Sequence, residues 1–310
     1  MTKETDCAEQ RRQSWMGLGL VAGIATGLVW LRRQVARRSS PLLQRTEVQS
    51  GQLLSALVTS ASSGIGQAYA TRLAAMGYNL ILVARRRDRL EALASRLTET
   101  YGVRATVMPV DLATDAGVTA VEQLVAATED LGILVNNAGF GMYGPFVEGD
   151  INRHLDMIRL HVLAVVRLTR AALPGMLARK RGAVVNVSSL IAFYPIYGST
   201  TYTATKCYLR SFTEALHQEL AGTGVRAQSL CPGFVRTEFQ ECADIQALAI
   251  PDGVWMAAED VVAGSLRDLE VDRPVSVPGP IYRFLATLSV ALPRPVIYLA
   301  GRVIARWRGK

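Results

Sequence analysis

Residues 53–66 read LLSALVTSASSGIG, and this stretch joins an apolar run to a turn of small residues. The run at 53–59 is typical of a buried β-strand. The pattern after the turn predicts a helix over 67–76 that ends before Gly77. A turn of this kind between strand and helix directs backbone N–H groups and the positive helix end toward a pyrophosphate. We therefore interpret the turn at 59–66 as a phosphate-binding site.

Similar apolar runs recur along the chain and alternate with helical patterns. NLILVA (79–84) is the next predicted strand, and a helical pattern over 88–100 follows it. The remaining predicted strands are ATVMPV (105–110), GILVNN (132–137), GAVVNVSS (182–189), VRAQSLCP (225–232) and PVSVP (274–278). Continuous apolar strands separated by helices indicate a parallel sheet covered on both faces. We predict an α/β fold with a Rossmann-type doubly wound parallel sheet of about seven strands.

Polar motifs follow the predicted strands at their carboxyl ends, where an open α/β sheet binds ligands. They are NNAG (136–139), Ser188–Ser189, Tyr202-x-x-x-Lys206 and Pro232–Gly233. With TSASSGIG they resemble, in order, the motifs of the short-chain dehydrogenase/reductase family over about residues 53–280, in its acyl- and steroid-reductase branch. The resemblance implies that a nicotinamide cofactor contacts Thr59, Ser60, Ser62, Ser63, Gly64, Ile65, Gly66, Asp111, Asn137, Ala138, Gly139, Tyr202, Lys206, Pro232 and Gly233.

The residues after the second predicted strand indicate which cofactor is used. Family members that prefer NAD carry an acidic residue there, which hydrogen-bonds the ribose 2′-hydroxyl. This chain has Ala84-Arg85-Arg86-Arg87 instead. No carboxylate stands here to repel a 2′-phosphate, and Arg85 is suited to pair with that phosphate, so we predict NADP(H) as the cofactor. We predict no metal. The alternative, a solvated helix start, accounts for at most two of the three arginines.

The predicted chemistry centres on Tyr202 and Lys206, which are four residues apart and share a helix face. A nearby ammonium is expected to lower the pKa of a tyrosine from its usual value near 10. The resemblance implies that Tyr202 protonates the carbonyl oxygen, that Lys206 also holds the nicotinamide ribose, and that Ser189 hydrogen-bonds the substrate oxygen. His161 stands at the family's catalytic Asn position, and it either relays protons or fills space.

Two further expectations concern single residues. Ser60 stands where the family has a glycine, and a side chain there is expected to crowd the turn. His154 and His217 are expected on the surfaces of helices.

The uncharged run Trp15–Leu31 predicts a transmembrane anchor of 17 residues, at the short limit for a span. A cleaved signal peptide is the rival interpretation, but the run ends in Trp-Leu-Arg-Arg without a small-residue cleavage site. The basic residues that follow place the domain on the cytoplasmic side of the membrane. We divide the chain into an N-terminal tail (1–14), anchor (15–31), basic linker (32–52), catalytic domain (53–280) and basic amphipathic tail (281–310).

The net charge of +8 is concentrated at the ends of the chain. Residues 281–310 hold six basic and no acidic residues, whereas residues 46–280 carry a small net negative charge. A nucleic-acid binder would carry its basic residues on the folded domain, so we predict a membrane partner and no nucleic acid. The tail at 281–310 either lies in the lipid interface or packs beside the substrate cleft. We also predict a homo-oligomer, a dimer or a tetramer.

Apolar and aromatic residues dominate the segments that cover the substrate in this family, at 140–147, 190–197 and 238–255. They predict a lipophilic substrate: a long-chain 3-oxoacyl group, a ketosteroid, a retinoid or a similar lipid. The expected reaction is reduction of its carbonyl to an alcohol by hydride transfer. Two alternatives stay open, an NADP-dependent alcohol dehydrogenase working oxidatively and a catalytically weak, nucleotide-sensing membrane scaffold.

Overall fold

The computed structural model describes residues 53–239, 252–293 and 295, which all belong to one compact unit. The predicted tail at 1–14, anchor at 15–31 and linker at 32–52 lie outside the described residues. The end of the chain from residue 296 and most of the third predicted substrate segment also lie outside them.

A parallel sheet of seven strands forms the centre of the domain, in the order β3-β2-β1-β4-β5-β6-β7. The strands are β1 (Ser55–Thr59), β2 (Asn79–Ala84), β3 (Ala105–Pro109), β4 (Leu131–Asn136), β5 (Gly182–Val187), β6 (Val225–Leu230) and β7 (Val275–Ser276). The order reverses direction between β1 and β4, which pair through Val58 and Val135. The predicted doubly wound fold is therefore confirmed, and a crevice for ligands is expected at the β1/β4 reversal.

Helices cover both faces of this sheet. They are α1 (Gly64–Ala75), α2 (Arg87–Tyr101), α3 (Asp115–Ala127), α4 (Ile151–Ile158), α5 (Ala164–Ala178), α6 (Thr200–Glu219), α7 (Ala258–Glu270) and α8 (Pro280–Ala291). Alternate residues of β1 point to opposite faces, so Ala56 and Val58 join one core while Leu57 joins the other. Burial of both faces explains why the strands are continuously apolar.

One π-helical turn, Arg159–Leu163, joins α4 to α5 and makes the stretch Ile151–Ala178 nearly continuous. By length and composition alone this stretch is apolar enough to cross a membrane. Its Leu168, Ala172 and Met176 pack into the core beneath the sheet, as in a core helix of a globular domain.

Helix α1 begins at Gly64, three residues earlier than the sequence pattern predicts. Gln67 N–H donates to Ser63 O at 3.2 Å and so closes the first turn over both glycines. At the other end of the domain, α8 packs through Tyr282 and Ala286 against the segments that follow β5 and β6. Packing of the domain therefore continues beyond residue 280, into the segment assigned from sequence to the tail.

Candidate active site

A cavity of about 750 Å³ opens at the carboxyl ends of the strands, across the β1/β4 reversal. Every predicted motif contributes to its wall. The predicted site residues that line it are Ser60, Ser62, Ser63, Gly64, Ile65, Arg85, Asp111, Asn137, Ala138, Gly139, Ser189, Tyr202, Lys206, Pro232 and Gly233. The cavity therefore reaches from the arginines after β2 to the Tyr202 end, a span that suits a dinucleotide with its reacting end at Tyr202.

Backbone geometry at the turn after β1 explains its small residues. Gly64 has a φ of 55° and Ser60 a φ of 52°, both in the left-handed region that favours glycine. A Cβ at Gly66 would collide with Ser60 O and with Asn137 Nδ2. The turn thus lies close against the NNAG segment, and its open side at the N-terminus of α1 forms a cradle that fits a pyrophosphate.

Thr59 and Gly66 support this turn and do not line the cavity. The Thr59 hydroxyl is buried and accepts hydrogen bonds from the backbone N–H groups of Asn137 (2.8 Å) and Ala138 (2.9 Å). Asn137 in return donates its side-chain amide to Thr59 O at 3.1 Å. These bonds fix the end of β1 to the end of β4. Thr59 therefore positions the residues that line the cavity without lining it itself.

The arginines after β2 are not equivalent. Arg85 is exposed at the cavity wall, as predicted from sequence. Arg86 reaches across the turn and donates to the hydroxyls of Ser62 (3.2 Å) and Ser63 (3.0 Å). It also forms an ion pair with Glu238 at 2.8 Å. Sequence reasoning missed Arg86, although two hydroxyls on the turn and a run of arginines offered a signal.

Tyr202 and Lys206 lie on one face of α6, in the wall of the cavity opposite the turn. Lys206 is 5% exposed and its ammonium donates to Val187 O at 2.8 Å. The Nζ atom lies 5.6 Å from the centroid of the Tyr202 ring. The Ser189 hydroxyl hydrogen-bonds the Tyr202 side chain. Ser189, Tyr202 and Lys206 are therefore brought together as the sequence predicts.

Burial dominates the protonation of this group. It raises the pKa of Tyr202 to about 12, against the lowering effect of the Ser189 hydrogen bond. It lowers the pKa of Lys206 to about 8. The pKa of Tyr202 is therefore raised and not lowered as the sequence predicted, because the loss of solvation on burial outweighs the Ser189 hydrogen bond. Tyr202 carries its proton at neutral pH.

His161 lies in the π-helical turn, fully buried and outside the cavity wall. Its Nε2 accepts from Phe140 N–H at 3.2 Å, and its Nδ1 lies 3.0 Å from the Thr205 hydroxyl. That hydroxyl donates to Tyr202 O, so Nδ1 is the donor to Thr205. Burial first, and then the charge of Lys206, lower the pKa of His161 well below its usual value. The ring is neutral, and both of its nitrogens are used within the chain.

Apolar and aromatic side chains form the wall beside Tyr202. They are Phe140, Tyr143, Leu160, Leu190, Ile191, Tyr194, Ile196, Phe234 and Phe239. Two of the three predicted substrate segments contribute directly, and the third contributes Phe239, its second residue. Arg153 and Asp156 add charge at the same cavity, which the sequence did not predict.

His154 corrects a further expectation, because it is buried and not on the surface. Its Nδ1 lies 2.7 Å from the Thr201 hydroxyl, and Phe146 packs on its ring. His217 is half-buried, 3.7 Å from Asp272. Within residues 53–239, 252–293 and 295, no three His, Cys, Asp or Glu side chains are grouped to hold a metal ion.

Comparison with known proteins agrees with this geometry. The family model described as short chain dehydrogenase matches residues 55–246. A very-long-chain 3-oxoacyl-CoA reductase from Homo sapiens is 33% identical over 228 residues, which are 72% of this chain and 72% of that protein. The protein of the same name from Anas platyrhynchos is 35% identical over 192 residues, and the match spans 60% of this chain and 61% of that relative.

Among solved structures, a short-chain dehydrogenase from Sphingobium yanoikuyae in complex with NADPH is 34% identical, with a TM-score of 0.71. The match covers 77% of this chain and 94% of that one. The described domain is thus an NADP(H)-dependent oxidoreductase of CH–OH and C=O groups, and the chain belongs to the short-chain dehydrogenase family.

Proposed function

We propose that this chain uses NADPH to reduce the keto group of a long-chain 3-oxoacyl thioester to an alcohol. The observation that carries the proposal is the apolar wall beside Tyr202, which suits an acyl chain and offers few partners to a polar substrate. The names of the human and duck relatives support a 3-oxoacyl substrate. Arg153 also lines the cavity, and its guanidinium is suited to the polar part of a thioester.

Each residue of the site has a separate task in the proposed reaction. When bound, NADPH supplies a hydride to the carbonyl carbon. Ser189 orients the carbonyl oxygen by a hydrogen bond, and neutral Tyr202 donates the proton that the oxygen takes up. Lys206, held by Val187 O, places its ammonium beside Tyr202 and within reach of the cofactor ribose.

The turn from Ser60 to Gly64 would hold the pyrophosphate of the cofactor. Asn137, Ala138 and Gly139 form the floor beneath it, where a Cβ at Gly139 would lie 2.7 Å from His161 Nε2. Asp111 lies at the adenine end, and its carboxylate is fixed by Ala113 N–H at 2.9 Å. Arg85 and Arg86 are placed to meet the 2′-phosphate.

We further propose that residues 15–31 anchor the enzyme in a membrane, with the catalytic domain on the cytoplasmic side and the chains assembled as a dimer or tetramer. The uncharged run between arginines supports the anchor, and the basic residues after it support the orientation. A lipophilic substrate would then reach the cavity from the bilayer.

The deciding experiment measures NADPH oxidation by the full chain in detergent, with wild type beside Tyr202→Phe. The substrates are a long-chain 3-oxoacyl-CoA, a ketosteroid and a small polar ketone. We expect turnover of the acyl thioester in wild type, and a loss of at least about 100-fold in the variant because it has no proton to donate.

A separate binding measurement shows whether Tyr202→Phe still takes up NADPH, which we expect to be unchanged within about twofold because the pyrophosphate and 2′-phosphate are held elsewhere. Turnover only of the small polar ketone would contradict the lipophilic substrate. Equal turnover in wild type and variant would contradict the role of Tyr202. NADPH binding without turnover of any carbonyl would favour a nucleotide-sensing scaffold.

A further inference from the structure

Three consecutive residues after the Pro232–Gly233 motif cross the cavity from one end to the other. Thr237 packs on the phosphate turn, where a Cβ added to Gly64 would lie 2.9 Å from Thr237 Cγ2. Glu238 reaches the arginines after β2. The Phe239 ring lies 6.0 Å from the ring of Tyr202, centroid to centroid. We call Thr237–Phe239 the strap.

The contact of Glu238 with the arginines bears directly on the cofactor. One carboxylate oxygen pairs with Arg86 at 2.8 Å, and the other pairs with Arg89. Hydrogen bonds from Arg89 and then Arg86 lower the pKa of the Glu238 carboxyl. Glu238 is therefore an anion near neutral pH, and it holds the guanidinium that also binds Ser62 and Ser63.

An arginine fork that already holds a carboxylate cannot bind a phosphate in the same positions. Arg86 offers its NH1 to Glu238 and its NH2 to the two serines on the turn. A 2′-phosphate at the end of β2 needs that same guanidinium, since Arg86 is the arginine oriented across the turn. The two anions would also repel each other at this distance.

We propose that Glu238 is a specificity-determining residue, whose carboxylate competes with the 2′-phosphate of NADP(H) for Arg86. The inference rests on the proposed NADPH-dependent function. It adds that NADP(H), but not NAD(H), must break the Glu238–Arg86 ion pair in order to bind. The dinucleotide without the phosphate leaves the Glu238–Arg86 pair intact. Glu238 thus reduces the preference for NADP(H) over NAD(H) that Arg85 and Arg86 create.

The strap extends the consequence to the substrate end. Phe239 follows Glu238 directly and covers the Tyr202 ring, next to the place where a carbonyl must meet the hydroxyl. Since Phe239 adjoins Glu238, we expect displacement of Glu238 by the 2′-phosphate to change the position of the Phe239 ring beside Tyr202. Binding of the 2′-phosphate would thus be coupled to the surroundings of Tyr202.

The first test compares binding of NADPH and NADH to wild type and Glu238→Gln, by fluorescence titration of the full chain in detergent. Both side chains of the pair are about 40% exposed, so a single ion pair is worth at most about fivefold in affinity. We expect Glu238→Gln to bind NADPH about fivefold more tightly and NADH unchanged. The gain should shrink in high salt, which screens exposed charges.

Glu91→Gln is the matched control, because Glu91 carries the same charge on α2 and pairs with Arg87. We expect no change for either cofactor in this variant. An equal change for NADPH and NADH in Glu238→Gln, or weaker NADPH binding, would overturn the proposal. Failure of wild type to bind either cofactor would instead refute the proposed function on which it rests.

The second test reads the strap itself, with Phe239→Trp as a fluorescent reporter. We expect 2′,5′-ADP to change its emission and 5′-AMP to leave it unchanged. In the double variant with Glu238→Gln, emission should already resemble the 2′,5′-ADP state before any nucleotide is added. An identical response to both nucleotides would show that the phosphate does not act through Glu238.

Discussion

The two ends of the cavity are built on different physical principles. At the adenine end, Arg85, Arg86 and Glu238 keep substantial contact with water, and their charges are paired or screened. At the end beside Tyr202, both Tyr202 and Lys206 have lost solvation. Burial raises the pKa of Tyr202 and lowers that of Lys206, which in both cases favours the neutral form. In the proposed function, recognition of the cofactor phosphate thus relies on exposed charge, whereas the proton donor is a group whose pKa is raised by burial.

This difference explains why the lysine fails to lower the pKa of Tyr202 as its spacing suggests. The Lys206 ammonium lies 5.6 Å from the centre of the ring, and burial is the largest cause of the raised pKa of Tyr202. A tyrosine that keeps its proton suits the proposed reduction, in which Tyr202 would be the proton donor. Substitutions at the buried end of the cavity should accordingly have larger effects than substitutions at the exposed end.

The largest expected effect is at Lys206. Lys206→Met removes the ammonium and keeps most of the buried volume, so we expect turnover to fall by about 100-fold or more. Steady-state NADPH oxidation measures this loss. Lys180→Met, at an exposed turn, is the control and should retain wild-type turnover. Retained turnover in Lys206→Met would remove the lysine from the proposed mechanism.

The same variant tests the cost of burying the lysine. The folded pKa of Lys206 is lowered to about 8 from 10.5, so between these pH values the unfolded chain binds more protons. The contribution of this group to the free energy of unfolding therefore rises with pH. From pH 8 to pH 10 the free energy of unfolding of wild type should increase by about 2 kcal/mol relative to that of Lys206→Met. Urea unfolding at both pH values measures the difference. A constant difference would show that the lysine is solvated.

His161 belongs to the buried end, and we expect His161→Ala to cost about 2–3 kcal/mol of unfolding free energy. The substitution leaves a cavity and an unpaired Phe140 N–H. The shape of the pH–rate profile should not change, because the imidazole is neutral and both nitrogens are engaged. His217→Ala, at a half-buried site, should cost much less. An altered apparent pKa in His161→Ala would restore the proton relay.

At the exposed end, Arg86→Ala should weaken NADPH binding by about tenfold through loss of a charge-assisted hydrogen bond. Arg85→Ala should weaken it by only about threefold, since Arg85 is exposed at the wall while Arg86 is fixed by Ser62 and Ser63. NADH binding should be unchanged in Arg85→Ala. In Arg86→Ala it should fall less than NADPH binding does, because only the contacts with Ser62 and Ser63 on the turn are lost. Titration of each variant with both cofactors decides the ranking, and a larger loss in Arg85→Ala would reverse it.

The smallest expected effect is at Ser60, whose φ of 52° is unfavourable for a residue with a side chain. Ser60→Gly relieves that strain and adds entropy to the unfolded chain, so we expect a net gain of about 0.5–1 kcal/mol. Lys180→Gly, with the same φ outside the cavity, should gain a similar amount. Thermal unfolding of both variants checks this, and destabilisation by Ser60→Gly would show that its side chain supports the turn.

Much of the site could be predicted because its motifs are local. A strand followed by a glycine turn, and a tyrosine four residues before a lysine, retain their geometry in any parallel α/β sheet. Arg86 and Glu238 could not be found this way, since 152 residues separate them and only the fold brings them together. His154 was placed wrongly because its burial depends on Thr201 and Phe146, from segments that pack against α4.

The sequence by itself determined the α/β fold and the order of the motifs, because strand periodicity and short-range spacing encode them. The roles of Ser189, Tyr202 and Lys206 stay a prediction that the family resemblance implies. Tertiary structure alone decided that burial raises the pKa of Tyr202 and lowers that of Lys206, and that His161 lies outside the cavity wall. It also decided the pairing of Arg86 with a carboxylate across the cleft. Each of these depends on how much water and which charges surround a side chain, and distant parts of the chain set both.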